Sequence, residues 1–467
     1  MPETINSRDE SFRDTMSTIS EKGKRNWIYA KKPKGKFWIW RNVVGLFLLS
    51  FFFSAPLIKI HDDPLLLFDF IHRKFILLGV TFWPQDSFIF FLLFISFMVF
   101  IILFTVIYGR IWCGWACPQT IFLELIFRRI EFWIEGDYAK QKKMAKQVWN
   151  LEKIVKKGFK HLIFIAISLF IINTFMSYIL AYDGLIEFWR SGASEHPIGF
   201  AAMYIFSFAF YFIYSSFREQ VCIIMCPYGR LQGVLLDKKS IVISYDYKRG
   251  EPKTPFRREE NRLEANKGAC INCNSCVMVC PTGIDIRNGT QLECINCTAC
   301  MDACDEQMIR TNQPKGLIKY ASEEQIAQTK KFKFSFRMAA YSAVLLGLLT
   351  FLAIMLNTRS DIESSILRTP GMLYQIQENN LISNLYNIKI INKTKEEIPV
   401  ELKLLSHQGI IKIASGDLKV KGENSTESVF FLYLDADLIK DSKSKVTFGV
   451  YSNGDLIQEV DSWFVGP

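Results

Sequence analysis

Twelve cysteines carry most of the chemistry this chain can perform, and their spacing is regular. Eight lie between Cys270 and Cys304, as Cys270-x2-Cys273-x2-Cys276-x3-Cys280-Pro281 and then Cys294-x2-Cys297-x2-Cys300-x3-Cys304. A cubane iron–sulfur cluster needs four thiolates converging from different directions, and each run offers three from a tight loop and a fourth from a distant turn. In two-cluster ferredoxins the fourth cysteine of each run crosses to the other cluster. Cys270, Cys273, Cys276 and Cys304 are therefore expected on one [4Fe-4S] cluster, and Cys294, Cys297, Cys300 and Cys280 on the other. Structural zinc sites also use Cys-x2-Cys pairs, but seldom three cysteines at this spacing ahead of Cys-Pro. Asp305, not proline, follows the second run, which alters its final turn and not its ligand count.

The other four cysteines form Cys113-x3-Cys117-Pro118 and Cys222-x3-Cys226-Pro227. Spacing of i and i+4 sets both thiols of a pair on one face of a helical turn, and the next proline disfavours its continuation. Two such dithiols at one membrane depth can converge on a soft metal, since thiolates favour Cu(I), zinc or iron–sulfur chemistry over hard cations. Buried cysteines acting as small hydrophobes, or a dithiol–disulfide couple, are the alternatives. Only five histidines occur, none paired within an apolar stretch as a membrane b-type haem requires, and the Cys-x2-Cys-His haem motif is missing. His61 and His72 read as solvated loop residues, and Arg110, Arg218 and Arg230 as headgroup anchors.

At 467 residues, half of them hydrophobic and 40 of them Phe, the chain exceeds one small soluble domain. No cysteine is left over for a disulfide, which suits a reducing compartment. Apolar stretches at 37–57, 87–108, 161–181, 198–217 and 338–356 match the ~20 residues a bilayer core requires. The net charge of +10 comes from Lys and Arg beside these stretches, so positive-inside topology explains it and no nucleic acid is needed. That topology sets the N-terminus, the 110–160 loop and the cysteine runs in the cytoplasm and the C-terminus outside, with no cleavable signal peptide. The segment 121–134 looks amphipathic and is expected along the membrane surface. Ionisable residues are nearly absent from the spans, which argues against a transporter. Beyond residue 357, short β-rich runs at 387–391, 399–405, 410–413, 429–434, 446–451 and 456–460 suggest a cysteine-free immunoglobulin-type sandwich.

The expected fold is a multidomain membrane protein: a five-helix α transmembrane region with an inserted two-[4Fe-4S] ferredoxin-like domain and a C-terminal immunoglobulin-like β-sandwich. Its divisions are a basic tail at 1–36, four helices within 37–236, the ferredoxin-like domain at 237–336, a fifth helix at 337–357 and the sandwich at 358–467. Five spans, Trp112-Cys113-Gly114-Trp115-Ala116-Cys117-Pro118, Cys222-Ile223-Ile224-Met225-Cys226-Pro227-Tyr228-Gly229-Arg230, the double ferredoxin run and the external tail follow one another in that order. This order resembles the cytochrome c oxidase accessory proteins of the CcoG family, also called FixG or RdxA, over essentially the whole chain past the N-terminal tail. The cysteine motifs alone are also similar to NosR- and NapH-like electron-transfer proteins, and the β-domain distinguishes the two.

The CcoG resemblance implies a bacterial inner membrane protein with two [4Fe-4S] clusters that reduces Cu(II) to Cu(I) for assembly of the cbb3-type oxidase. It carries copper over to Cys113, Cys117, Cys222 and Cys226, and the cluster ligands to the eight cysteines from Cys270 to Cys304. The implied partners are a cytoplasmic electron donor, copper-handling proteins and oxidase subunits. Two rival readings remain: a quinol-linked relay of the NosR or NapH kind, and a non-catalytic oxidase assembly scaffold.

Overall fold

The computed structural model describes residues 17–467 apart from 21, 61–62, 71–73, 78, 259–261, 263, 329–335, 361, 378–379, 395, 415–417, 423 and 440. His61 and His72 lie outside the described residues. Two compact units form, one from residues 1–79 and 90–350, the other from 80–89 and 351–467.

Among the described residues, five helices are long and apolar enough to cross a bilayer: Lys36–Leu57, Ser87–Tyr108, Leu151–Ser191, Pro197–Phe217 and Phe336–Asn357. The third is far longer than its apolar stretch. Asn150 caps its N-terminus by accepting from the Lys153 amide, so the basic segment 151–160 is helical too. Ala181, at φ 59° and ψ 164°, breaks it into two helices where the apolar stretch ends.

The segment 121–134, expected along the membrane surface, packs into the helical core. It runs as helix α1 (Pro118–Ile121), a π-turn at Phe122–Phe127 and helix α2 (Arg128–Ile134). Phe122, Leu123 and Phe127 pack against Phe164 and Ile171 of the third span and Tyr214 of the fourth. Phe127 stacks on Tyr214 at 4.6 Å and meets Phe164 edge-on at 4.8 Å. The polar face is buried as well, because its charges find partners. Glu131 accepts from Arg218 at 2.9 Å, Arg128 pairs with Glu124 at 2.5 Å and Glu219 at 3.7 Å, and Lys160 pairs with Glu135 at 2.9 Å. A buried charge is tolerated only when paired in this way. Arg218 is thus a core residue and not a headgroup anchor, and only Arg230 of the three arginines is exposed.

The cysteine runs sit on a two-stranded antiparallel sheet, Val242–Tyr245 against Ile318–Ala321, with helices α3 (Ser275–Met278) and α4 (Ala299–Arg310). Ile243, Ile284, Ile286, Met301, Met308 and Leu317 form its small core around the cysteines.

The second unit is an antiparallel sandwich. One sheet is ordered Gly409–Ile413, Asn424–Asp435, Leu381–Asn392, Ile362–Arg368; the other Leu418–Val420, Ile398–Leu404, Lys443–Ser452, Asp455–Val465. Tyr386, Phe430 and Phe448 meet in its core with ring centroids 5.3 Å apart. The strands exceed the short runs expected, and Ile362–Arg368 is an additional one. Its burial alternates cleanly, but Glu363, Ser364 and Ser365 dilute the apolar signal.

Candidate functional site

The two cysteine runs fold alike. In the first, Asn272 and Asn274 are left-handed (φ 55° and 56°); in the second, Asn296 and Thr298 are (φ 52° and 63°). Asparagine tolerates this region and threonine rarely enters it, so the repeated conformation is imposed by the loop's task of turning three thiols inward. Cys270, Cys273, Cys276 and Cys304 line one cavity with Tyr245 and Arg287. Cys280, Cys294, Cys297 and Cys300 line a second, to which Cys276 also contributes. The fourth cysteine of each run therefore stands with the first three of the other.

Burial pushes these thiols up: Cys276 and Cys294 to about 12, Cys297 to about 11, Cys300 well above the ordinary range, and Cys304 upward too. Left alone they are neutral, and only a bound cation turns a buried thiol into a thiolate. Among the described residues, no three His, Cys, Asp or Glu close around a single ion. Cys273 is the only exposed cysteine of the twelve.

The membrane-end cysteines share one design. Cys117 (φ −64°, ψ 125°) and Cys226 (φ −71°, ψ 112°) are extended residues capping helices that start at Pro118 and Pro227. Proline suits the first helical position, since its missing N–H is unneeded there. The motif thus breaks one helical turn at its second cysteine and starts a new helix. All four thiols are electrostatic neighbours: Cys222 is influenced by Cys117, Cys113 and Cys226. Burial raises Cys113 to about 11 and Cys222 to about 12. It raises Cys117 as well, against the pull of the Thr120 and Gln119 amides. These four thiols, too, stop short of a closed single-ion cage.

The decisive contact joins the two constellations. Cys113 packs against Val279, Ile295, Cys297 and Ala299. A β-carbon on Gly114 would stand 2.5 Å from Ile295 O and 2.8 Å from Asn296 O, so only glycine lets the backbones approach this closely. Arg41 donates to Gly114 O at 2.7 Å, Trp115 Nε1 to Tyr320 Oη at 3.3 Å, and Tyr320 Oη to Asn296 O at 3.4 Å. Arg110 donates to Leu292 O and Gly229 O, bridging both cysteine pairs to the second ferredoxin run. It is 4% exposed and is no headgroup anchor. The Gln232 amide lies 3.5 Å from Cys113 Sγ. Asp302, between Cys300 and Cys304, accepts from the Phe37 and Trp38 amides at 3.1 and 2.7 Å and so caps the first span.

Known proteins share these features. Residues 217–323 match a 4Fe-4S dicluster domain, 90–137 a 4Fe-4S binding domain, and 352–467 the immunoglobulin-like fold at the C-terminus of FixG. RdxB of Cereibacter sphaeroides is 33% identical over 408 residues, 83% of this chain and 84% of its own. The chain belongs to the FixG/RdxA family. RdxA of the same organism is 32% identical over 78% of this chain and 77% of its own, and the nitrogen fixation protein FixG of Rhizobium meliloti is 34% identical over 64% and 58%. This FixG/RdxA-family protein is a membrane iron–sulfur electron-transfer protein, with two iron–sulfur clusters, membrane helices and a C-terminal immunoglobulin-like domain.

Five residues fasten this family member's site together: Arg110, which by sequence reads as a headgroup anchor, Gly114 of the first cysteine motif, and Arg41, Gln232 and Tyr320, which carry no cysteine chemistry. Arg41 alone left a signal. It is an arginine within the first apolar span, and such a residue calls for a buried partner.

Proposed function

We propose that this chain is a cupric reductase of the bacterial inner membrane, passing single electrons from a cytoplasmic donor to copper at Cys113, Cys117, Cys222 and Cys226 in support of cbb3-type oxidase assembly. The packing of Cys113 and Gly114 on the Cys294–Cys300 loop carries this reading, because it sets one thiol of the four directly against the second quartet's loop. In it, Cys270, Cys273, Cys276 and Cys304 hold one cluster and Cys280, Cys294, Cys297 and Cys300 the other. When bound, the clusters supply one-electron storage and transfer.

The chain's own residues do the rest. Arg110 and Arg41 lock the thiol-bearing hairpins against the second ferredoxin run. The neutral thiols release protons as copper binds, and soft thiolates stabilise Cu(I) over Cu(II), which draws one electron onto each Cu(II). Two thiolates satisfy Cu(I), so the open four-thiol group needs no single-ion cage. Basic residues beside the spans favour a cytoplasmic site and a periplasmic C-terminal domain, which is suited to meeting oxidase subunits. The test replaces Cys117 and Cys226 with Ser in purified protein. Copper binding and Cu(II) reduction should both fall sharply at unchanged iron content; unchanged values would remove these thiols from the mechanism.

A second reading is favoured by the match of 90–137 to a 4Fe-4S binding domain and by the open spacing of the four thiols. Here they hold a third cubane. Anaerobic analysis separates the two: about eight irons per chain for two clusters, about twelve for three.

A further inference from the structure

Beside the helix that joins the two quartets lies a cavity of about 310 Å³ that the proposed electron path does not use. Trp27, Tyr29 and Tyr138 supply aromatic walls, Lys142 and Lys146 supply charge, and Met278 forms the inner wall. Met278 stands two residues from Cys276 of one quartet and two from Cys280 of the other, within about 7 Å of chain from each. The wall is fixed from several sides: the Lys31 amide donates to Met278 O at 2.8 Å, Tyr138 Oη lies 3.9 Å from Met278 Sδ, and the Lys32 amide donates to Asp137 at 3.2 Å. Lys142 and Lys146 are one helical turn apart on the helix Tyr138–Lys146, on one face. Among the described residues neither has an acidic partner.

Aromatic walls with two unpaired ammonium groups suit a planar ring bearing a phosphate, and the volume lies within the range of ligand pockets. The position adds a redox requirement. A donor here must deliver electrons one at a time, which an obligate hydride donor cannot do and a flavin can.

We propose that this cavity binds a reduced flavin nucleotide, its ring against the aromatic walls and its phosphate on Lys142 and Lys146, as electron donor to both quartets. The redox half of this proposal rests on the reading of the quartets as cluster ligands. The anionic reduced flavin FMNH⁻ loses two electrons and one proton to give FMN. One electron goes to each iron–sulfur cluster, taking it from the 2+ to the 1+ state, and the proton passes to water at the open mouth. A hydride donor of the nicotinamide class re-reduces the flavin in solution.

The test uses the full chain, purified in detergent under anaerobic conditions, with FMN and riboflavin as probes. Flavin fluorescence should be quenched on binding, with FMN at least tenfold tighter than riboflavin because only FMN carries the phosphate. In a Lys142→Gln/Lys146→Gln variant with unchanged iron content, FMN should fall to the riboflavin affinity. Photoreduced FMN at subsaturating concentration should bleach the cluster absorbance at least tenfold more slowly in that variant. No quenching, equal affinity for the two flavins, or indifference to the lysines overturns the site; tight binding without faster cluster reduction overturns its role as donor. A preparation without iron and sulfide would sink the cluster reading but leave the binding comparison intact, so the two failures are distinguishable.

Discussion

Replacing Gly114 with alanine tests the contact on which the proposed electron transfer to the thiols depends. The new methyl would begin 2.5 Å from Ile295 O and 2.8 Å from Asn296 O, against 3.4 Å for ordinary contact. Both neighbours are backbone atoms of the loop between Cys294 and Cys297, so neither can rotate aside. The hairpin and the loop must part by about 0.9 Å. Overpacking of this kind costs about 1–3 kcal/mol, which a fold of this size survives, so the clusters should still assemble. A wider gap weakens the electronic coupling across it, and the electron-transfer rate falls with it. The assay reduces the protein with dithionite, removes the excess, mixes it with Cu(II) and follows the return of oxidised-cluster absorbance. We expect a return slower by a factor of a few at full iron content. Gly158→Ala is the control, since nothing lies within 4 Å of the added carbon. An unchanged rate in Gly114→Ala with full iron would refute the route through Cys113.

Three further outcomes follow from other parts of the molecule. Arg218→Met removes the shortest cation contact of buried Glu131 and one of the cations around Glu219, at a cost of up to about 3–5 kcal/mol, and should show as a drop in thermal stability in detergent. Burial pushes Asp86 up, but Lys393, the Trp83 amide and Arg359 outweigh it and hold the carboxyl below the usual range. Its contribution is therefore fully present above the unfolded pKa of about 3.9 and is lost as pH falls through the lower folded value. Asp86→Asn should lower the melting temperature of the second unit at pH 7, with the difference from the parent shrinking in strong acid. Finally, Cys273 is the exposed cysteine, so controlled exposure to air should destroy the paramagnetic signal of its quartet before that of the other.

Much of the molecule was legible because its signals are local. Four of the five spans end within a few residues of their apolar stretches, since bilayer thickness fixes the length of an apolar run. The cysteine runs and the alternating strands of the sandwich are likewise written at fixed short spacing. Segment 121–134 shows where such reading fails. Its amphipathic pattern is real, but periodicity reports only that one face is polar, not whether that face meets headgroups or buried ions. Arg128, Glu131, Arg218, Glu219 and Lys160 come from three stretches of chain, and only their meeting makes burial tolerable.

The sequence by itself determined the number of spans and the family. It could not determine that Cys113 rests against the second ferredoxin run, because that contact depends on a missing side chain at Gly114 and on the backbone carbonyls that receive Arg41 and Arg110. Every residue carries the same carbonyl, so its partner in space leaves no mark on its identity. Tertiary structure alone chose which carbonyls those arginines reach.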